Sequence, residues 1–553
     1  MFALFLDAKF AFDVVLKENA IVSAYKAGTN DQGLLYLNSR LENRRTFPQW
    51  GTTLMGPIHD SLGLEQGGVN SDRLYKLCNN DQLKDAHESS LGIDIDGIVI
   101  SSIGQADDVV LLANSPLNLV CLLHLTTLYC LRNHVTLVPE KTKLLAWSPA
   151  RQHQSTNLLK LECPVQIDNL PIEFSQSAEH VGIIRSTEAG NMPHVLERVA
   201  SYKRCLGAVL FAGAARHHNA NPCVTLQLER MYGSPVLLSG LASLVLNTKE
   251  IKAISLQHKS TLSKLQKLPQ NTPECVVYFL AGRLPSTALI HLRQLSLLGM
   301  LARQGPDSIL HRLGTQILSN LKNRSWFGQI RQVSIQYSLP DPLQILESPP
   351  TKNYWKKLCK ANVVSFWENR LRYEASQLPS LLYFRPAYHS LAKIHPLWDF
   401  ADSPYEVKKA GTVASMLSGR YVTDHRSRYW SKSNPDGNCQ LCMMSGKPLV
   451  KGSLEHLLLS CPALSVTRSN CILHVEKYLQ DKPILLPLVK FYNTGDDHLN
   501  VQFLLDPSTC PEVILAVQES GSGVLADLFY LTRTWCHSHH TKRMNLLRLY
   551  NVI

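Results

Sequence analysis

The sequence predicts an α+β protein, in which a strand-bearing N-terminal part gives way to a mostly helical remainder. Three observations predict it. Short apolar runs alternate with helical segments over residues 1 to 190, apolar residues recur at helical spacing from 193 to 335, and a cysteine/histidine cluster at 439 to 461 interrupts a helical C-terminal third. Hydrophobic residues make up 45% and charged residues 18% of the 553, the balance of a globular chain long enough for several cores. The net charge of +12 favours an acidic partner, nucleic acid above all.

The N-terminal part opens on a strand-like run at 4 to 15, with further runs at 96 to 113, 143 to 148 and 163 to 174. Between them, LNLVCLLHLTTLYCLRNH (117 to 134) places Leu119, Leu122, Leu123 and Leu131 near helical spacing. Beyond 193 the helical signals break at NANP (219 to 222), LPQNTP (268 to 273) and GRLPS (282 to 286), where proline and glycine stop one helix and start another. Residues 337 to 353, with four prolines in seventeen positions, read as a connector. A basic, aromatic helical stretch, the cysteine/histidine cluster and a helical tail follow. The longest apolar run, SPVLLSGLASLVL, is shorter than the roughly 20 residues of a bilayer span. The N-terminus lacks the basic flank of a signal peptide, and Asp7, Lys9 and Asp13 interrupt its apolar segment. The expectation is an intracellular protein, nuclear or cytoplasmic and without a membrane partner, whose 14 cysteines are reduced thiols or metal ligands.

The stretch ISSIGQADDVVLLA sets Asp107 and Asp108 side by side between apolar runs. A buried charge needs a partner or a metal, and a straight strand sends neighbouring side chains to opposite faces. At a hairpin tip both can approach one point, although aspartate is also an ordinary turn residue. Asp7 ends another apolar run one hundred residues earlier, and the glycine-bearing loop GLEQGGVNSD (63 to 72) lies between. Three carboxylates from two neighbouring strands suit a pair of Mg²⁺ ions; roughly 3.5–4 Å apart, such ions hold the attacking and leaving oxygens of a phosphoryl transfer.

In this order the elements resemble the palm of a non-LTR (LINE-type) retrotransposon reverse transcriptase. The family's aspartate, four residues, then an aromatic matches Asp7 and Phe12. Its Q-G-x-x-x-S-P is similar to Gln66, Gly67 and Ser71, with Asp72 in place of proline, and its A-D-D matches Ala106, Asp107 and Asp108, preceded by Gln105. A lysine–threonine–lysine before a strand matches PEKTKLLAW (139 to 147), and the strand with glycine before the thumb resembles EHVGIIRS (179 to 186). The resemblance implies that Asp7, Asp107 and Asp108 hold two catalytic Mg²⁺, with the Ala8 carbonyl as a further contact. Phe12 would lie under the incoming sugar and exclude a 2′-hydroxyl. Gln66 and Gly67 would let the backbone approach template and incoming base, and either Lys141 or Lys143 would protonate or neutralise pyrophosphate. An RNA template, a DNA primer or target and dNTPs are the implied partners.

The cluster CQLCMMSGKPLVKGSLEHLLLSC spaces Cys439, Cys442, His456 and Cys461 as C-x2-C-x13-H-x4-C, a tetrahedral Cys₃His site for one structural Zn²⁺. The first pair falls on a turn, and the second is expected on a helix, about one and a half turns apart. A similar motif lies C-terminal to the polymerase in non-LTR elements, where it is associated with RNA binding. Arg426, Arg428, Tyr429, Trp430 and Lys432 beside it combine charges for phosphates with rings for bases, which suits single-stranded nucleic acid. A second basic group, Lys352 to Lys360, reads equally as a solvated helix face.

The expected organisation is a partial palm at 1–190, a helical thumb and connection at 191–336, a linker at 337–353, a basic helical region at 354–430, a zinc knuckle at 431–465 and a helical tail at 466–553. With its first motif six residues from Met1, the chain reads as a truncated RNA-directed DNA polymerase without fingers and of impaired activity. The rival expectation is a catalytically inactive nucleic-acid-binding remnant.

Overall fold

The computed structural model describes the chain except residues 43, 66, 148–163, 189, 211–219, 321–324, 402, 430–433, 483–484, 490–494 and 551–553. It is a mixed α+β structure of two compact units: Met1–His194 with Gln304–Ser325, and Val195–Arg303 with Trp326–Ile553.

The first unit is built on a four-stranded antiparallel sheet in the order Lys143–Ala146, Phe2–Leu6, Asp108–Ala113, Ser102–Gln105. Strand alternation sends Leu4, Leu6, Val109 and Leu111 to one face. There they pack with Leu119, Leu122, Leu123 and Cys130 of the helix Pro116–Arg132, each buried side chain contributing about 1.5–3 kcal/mol. The helix begins where Ser115 accepts the Asn118 N–H at 3.1 Å and Pro116 fills the first turn, which needs no N–H. Leu131 is exposed: twelve helical steps from Leu119 turn it about 120° off the buried stripe.

The apolar run at 4 to 15 is strand only as far as Leu6. Ala8–Lys9 pairs separately with Thr136–Leu137, and Phe10 takes a positive φ of 52° that turns the chain back. The run at 96 to 113 divides into three strands, Ile98–Ile100, Ser102–Gln105 and Asp108–Ala113. Gln166–Ile167 and Leu170–Pro171 form a tight hairpin.

The second unit is helical. Its helices stop and restart at residues 266–273 and 282–285, where the breakers lie. The helix Glu274–Ala281 is buried from Cys275 onward, and Ser286–Ala302 packs on Lys352–Ser376. Residues 337 to 353, expected as a connector, instead hold a short helix, Pro342–Glu347, with Ile345 and Leu346 buried. Asp341 accepts the Leu343 N–H at 2.8 Å, so the proline after it starts a helix rather than extending the chain. The C-terminal helix Gly523–Leu549 packs against Pro404–Leu417, Ser465–Asp481, Asp497–Leu505 and Pro511–Ser520. No single helix among the described residues is long and apolar enough to cross a membrane.

Candidate active site and metal centre

Asp107 and Asp108 sit at a hairpin tip. Gln105 pairs with Asp108, and the two-residue turn between them places Ala106 at a φ of 57°. Asn79 donates to the Ala106 carbonyl at 3.0 Å and holds the turn against the helix Ser71–Glu88. The ladder of the two central strands ends at Leu6 with Val109; one step further, the positions in line are Asp7 and Asp108. The Asp107 and Asp108 residues are exposed. Partial desolvation of the Asp108 carboxyl nevertheless raises its pKa, as do the nearby Asp107 and Asp7 charges, while His180 opposes the rise.

Asp7 is gripped by the loop of residues 138–142, which leads into the strand Lys143–Ala146. Its carbonyl accepts the Val138 N–H at 2.9 Å and its N–H donates to Thr142 Oγ1 at 3.4 Å. The same loop brings Lys141 Nζ to 3.6 Å from Asp7 Oδ2. Lys143 sits in the edge strand opposite Phe5. Of the two candidate lysines, Lys141 is therefore the one paired with Asp7.

His180, which sequence reasoning did not single out, is the other neighbour. It ends the strand Ser177–His180, meets the Phe5 ring edge-on at 5.8 Å, and has its pKa lowered by burial against the opposing pull of Asp108. It lies inside EHVGIIRS, so its neighbourhood was legible although its role was not.

Phe12 stacks on Tyr75 with ring centroids 4.6 Å apart, in a cluster that also includes Ala8 and Ala106. The glycine-bearing loop closes over this turn: Gly63 donates to the Val15 carbonyl and Leu64 to the Phe12 carbonyl, both at 2.8 Å. Gly63 has a φ of 87°, and a Cβ there would stand 2.8 Å from the Asp13 carbonyl oxygen, so only glycine allows the approach. Gly67 has a φ of 83° with open space around it; Gln66 lies outside the described residues. Beside the loop a cleft of ≈ 750 Å³ is lined by Asp13, Arg40, Arg44, Arg45 and Glu65.

Among the described residues, two groups bring three or more ligand atoms within 4.8 Å of one another: Cys439–Cys442–His456–Cys461 and His389–His395–Asp506. The three aspartates are not such a group; Asp107 borders a small cavity with Tyr75 and Asn79.

The four knuckle residues are all buried. Cys461 Sγ is 3.9 Å from Cys439 Sγ and 3.8 Å from Cys442 Sγ, and Cys442 Sγ is 3.3 Å from His456 Nε2. Thiolates bound tetrahedrally at about 2.3 Å stand about 3.8 Å apart, so the residues present fit Zn²⁺. The hydrogen bond with Cys461, and then burial, push the Cys439 thiol up to about 12. His456 and Cys461 are not on an α-helix as expected. An α-helical separation of five points side chains about 140° apart; here residues His456–Ser460 form a single π-turn, closed by the Cys461 N–H to the His456 carbonyl at 2.7 Å. Ser460 Oγ meets His456 Nδ1 at 3.3 Å, an outer contact that orients the ring.

Of the basic residues, Arg428 lies over the Tyr429 ring at 4.8 Å, and its Nη2 donates to the Tyr429 hydroxyl at 2.8 Å; Tyr429 is 74% exposed. Arg426 is half-buried. Trp430 and Lys432 lie outside the described residues. In the second basic group Trp355 is buried, its Nε1 donating to the Leu295 carbonyl at 2.7 Å, while Tyr354 is exposed.

No protein-family model matches the chain, and no curated protein matches it significantly.

Proposed function

We propose that the chain carries the palm of an RNA-directed DNA polymerase of the non-LTR retrotransposon type, acting on dNTPs with an RNA template and a DNA primer. The observation that carries the reading is the central strand pairing, which draws Asp7 into line with Asp108, with Asp107 in the adjoining turn and Lys141 against Asp7. Asp7, Asp107 and Asp108 would be the residues to hold Mg²⁺, which when bound would supply positive charge to the attacking and leaving oxygens of a phosphoryl transfer. Lys141, paired with Asp7, would be the residue that neutralises the pyrophosphate or gives it a proton. Phe12, stacked on Tyr75 in the cluster that includes Ala106, would be the ring that excludes a sugar 2′-hydroxyl. The arginines of the neighbouring cleft offer charge for phosphates.

The test is primer extension on poly(rA)/oligo(dT) with Mg²⁺. Incorporation that disappears in Asp108→Asn, with RNA binding retained, supports the reading. A second reading is favoured by the knuckle being assembled while the aspartates stay outside a single ligand set: a nucleic-acid-binding protein without polymerase activity. Absence of incorporation by the parent chain, together with RNA affinity that Asp108→Asn leaves unchanged and Cys461→Ser weakens, selects that second reading.

A further inference from the structure

We propose that His389, His395 and Asp506 form a second zinc site in the helical unit, separate from the knuckle. Asp506 has no exposed surface. Ser508 Oγ donates to its Oδ1 at 2.5 Å, and its Oδ2 is met by His389 Nε2 at 2.9 Å and His395 Nε2 at 3.2 Å. Among the described residues its ion-pair contacts are these two imidazoles and no lysine or arginine. A carboxylate this deep is stable only beside a cation or on a metal.

The geometry points to the metal. The two Nε2 atoms face one another at 3.2 Å while both face a single carboxylate oxygen. As two N–H donors they crowd their protons together; as lone pairs they complete a triangle. Ligand atoms bound tetrahedrally to Zn²⁺ at about 2.0–2.1 Å stand about 3.3 Å apart, against edges of 2.9, 3.2 and 3.2 Å here. Two histidines and a carboxylate are a zinc donor set that leaves one position for water. The rings of Phe384, against His389 at 6.2 Å, and Phe529, against His395 at 6.3 Å, form part of the wall.

Loading has a definite proton balance. His395 Nδ1 accepts the Leu397 N–H at 3.1 Å, so the neutral ring carries its proton on Nε2. Binding moves that proton to Nδ1 without releasing it and gives up the cap on the four-residue helix Pro396–Asp399. The second site therefore holds zinc less tightly than the knuckle, and it ties the segment around residues 389 to 395 to Asp506 at the end of the helix Asp497–Leu505.

The experiment is zinc stoichiometry of the purified full chain by elemental analysis, with a graded chelator titration. Two zinc ions per chain, released in two steps, and one in a folded Asp506→Asn variant are expected. One zinc per chain, lost with Cys461→Ser and unaffected by Asp506→Asn, overturns the proposal. If Asp506→Asn does not fold, the Cys442→Ser/Cys461→Ser protein decides: one remaining zinc ion supports the second site, and none overturns it.

Discussion

Arg543→Ala is expected to unfasten the knuckle from the C-terminal helix. Arg543 Nη2 donates to Asp424 Oδ1 at 3.0 Å and Nη1 to the Val422 carbonyl at 2.9 Å, with the two side chains only 7% and 6% exposed. Asp424 Oδ2 accepts the N–H of Gln440, the residue after Cys439, at 3.3 Å. Gly452 packs so closely that a Cβ there would stand 2.6 Å from the Asp424 Cβ. Removing the guanidinium leaves a carboxylate buried without its cation, at about 3–5 kcal/mol, and an orphaned Val422 carbonyl adds about 1 kcal/mol or more. Because Asp424 holds the backbone between Cys439 and Cys442, zinc affinity should fall by about 10–100-fold, the usual effect of losing an outer-shell partner. Urea unfolding followed by circular dichroism reads the first effect, and competition with a chromophoric chelator the second. Asp424→Asn combined with Arg543→Ala should recover part of the loss, since no buried charge then remains. An Arg543→Ala protein that unfolds within about 1 kcal/mol of the parent and keeps its zinc equally well refutes the reasoning.

Stability should also fall in mild acid through His291. Burial lowers its pKa from 6.5 to about 4, and its Nδ1 faces the Tyr337 hydroxyl at 2.8 Å. The unfolded chain therefore binds more protons between pH 6.5 and 4; the contribution is full above 6.5, and about 2 kcal/mol of it is lost by pH 5, a slope that urea melts should find missing in His291→Leu. Phe12→Ala should lose about 1 kcal/mol of ring stacking on Tyr75 together with the packing of its ring; if the polymerase reading holds, it should also admit rNTPs, which competition between dTTP and UTP measures. Asp108→Asn, at an exposed tip, should leave the melting temperature unchanged within about 2 °C and, if the polymerase reading holds, abolish incorporation.

Features legible in the sequence are those whose parts are close along the chain. The cysteines and histidine of the knuckle declared themselves by their C-x2-C spacing, although Cys439 stands at the N-cap of the short helix Gln440–Met444 and Cys442 lies within it rather than on the expected turn, and the helix at 116 to 132 declared itself by its apolar period. Asp7, Asp107 and Asp108 were legible as acids at the ends of apolar runs, but a one-residue slip of the strand ladder would have parted Asp7 from Asp108. Composition and local pattern determined the α+β class, the helix breaks and the four residues that could hold a zinc ion. The tertiary structure alone decided that Lys141 rather than Lys143 pairs with Asp7, that residues 342–347 are packed helix, that a π-turn aims His456 and Cys461, and that His389, His395 and Asp506 meet. Each of those depends on long-range packing or on a backbone choice among near-equal local alternatives, and neither leaves a period or a spacing to read.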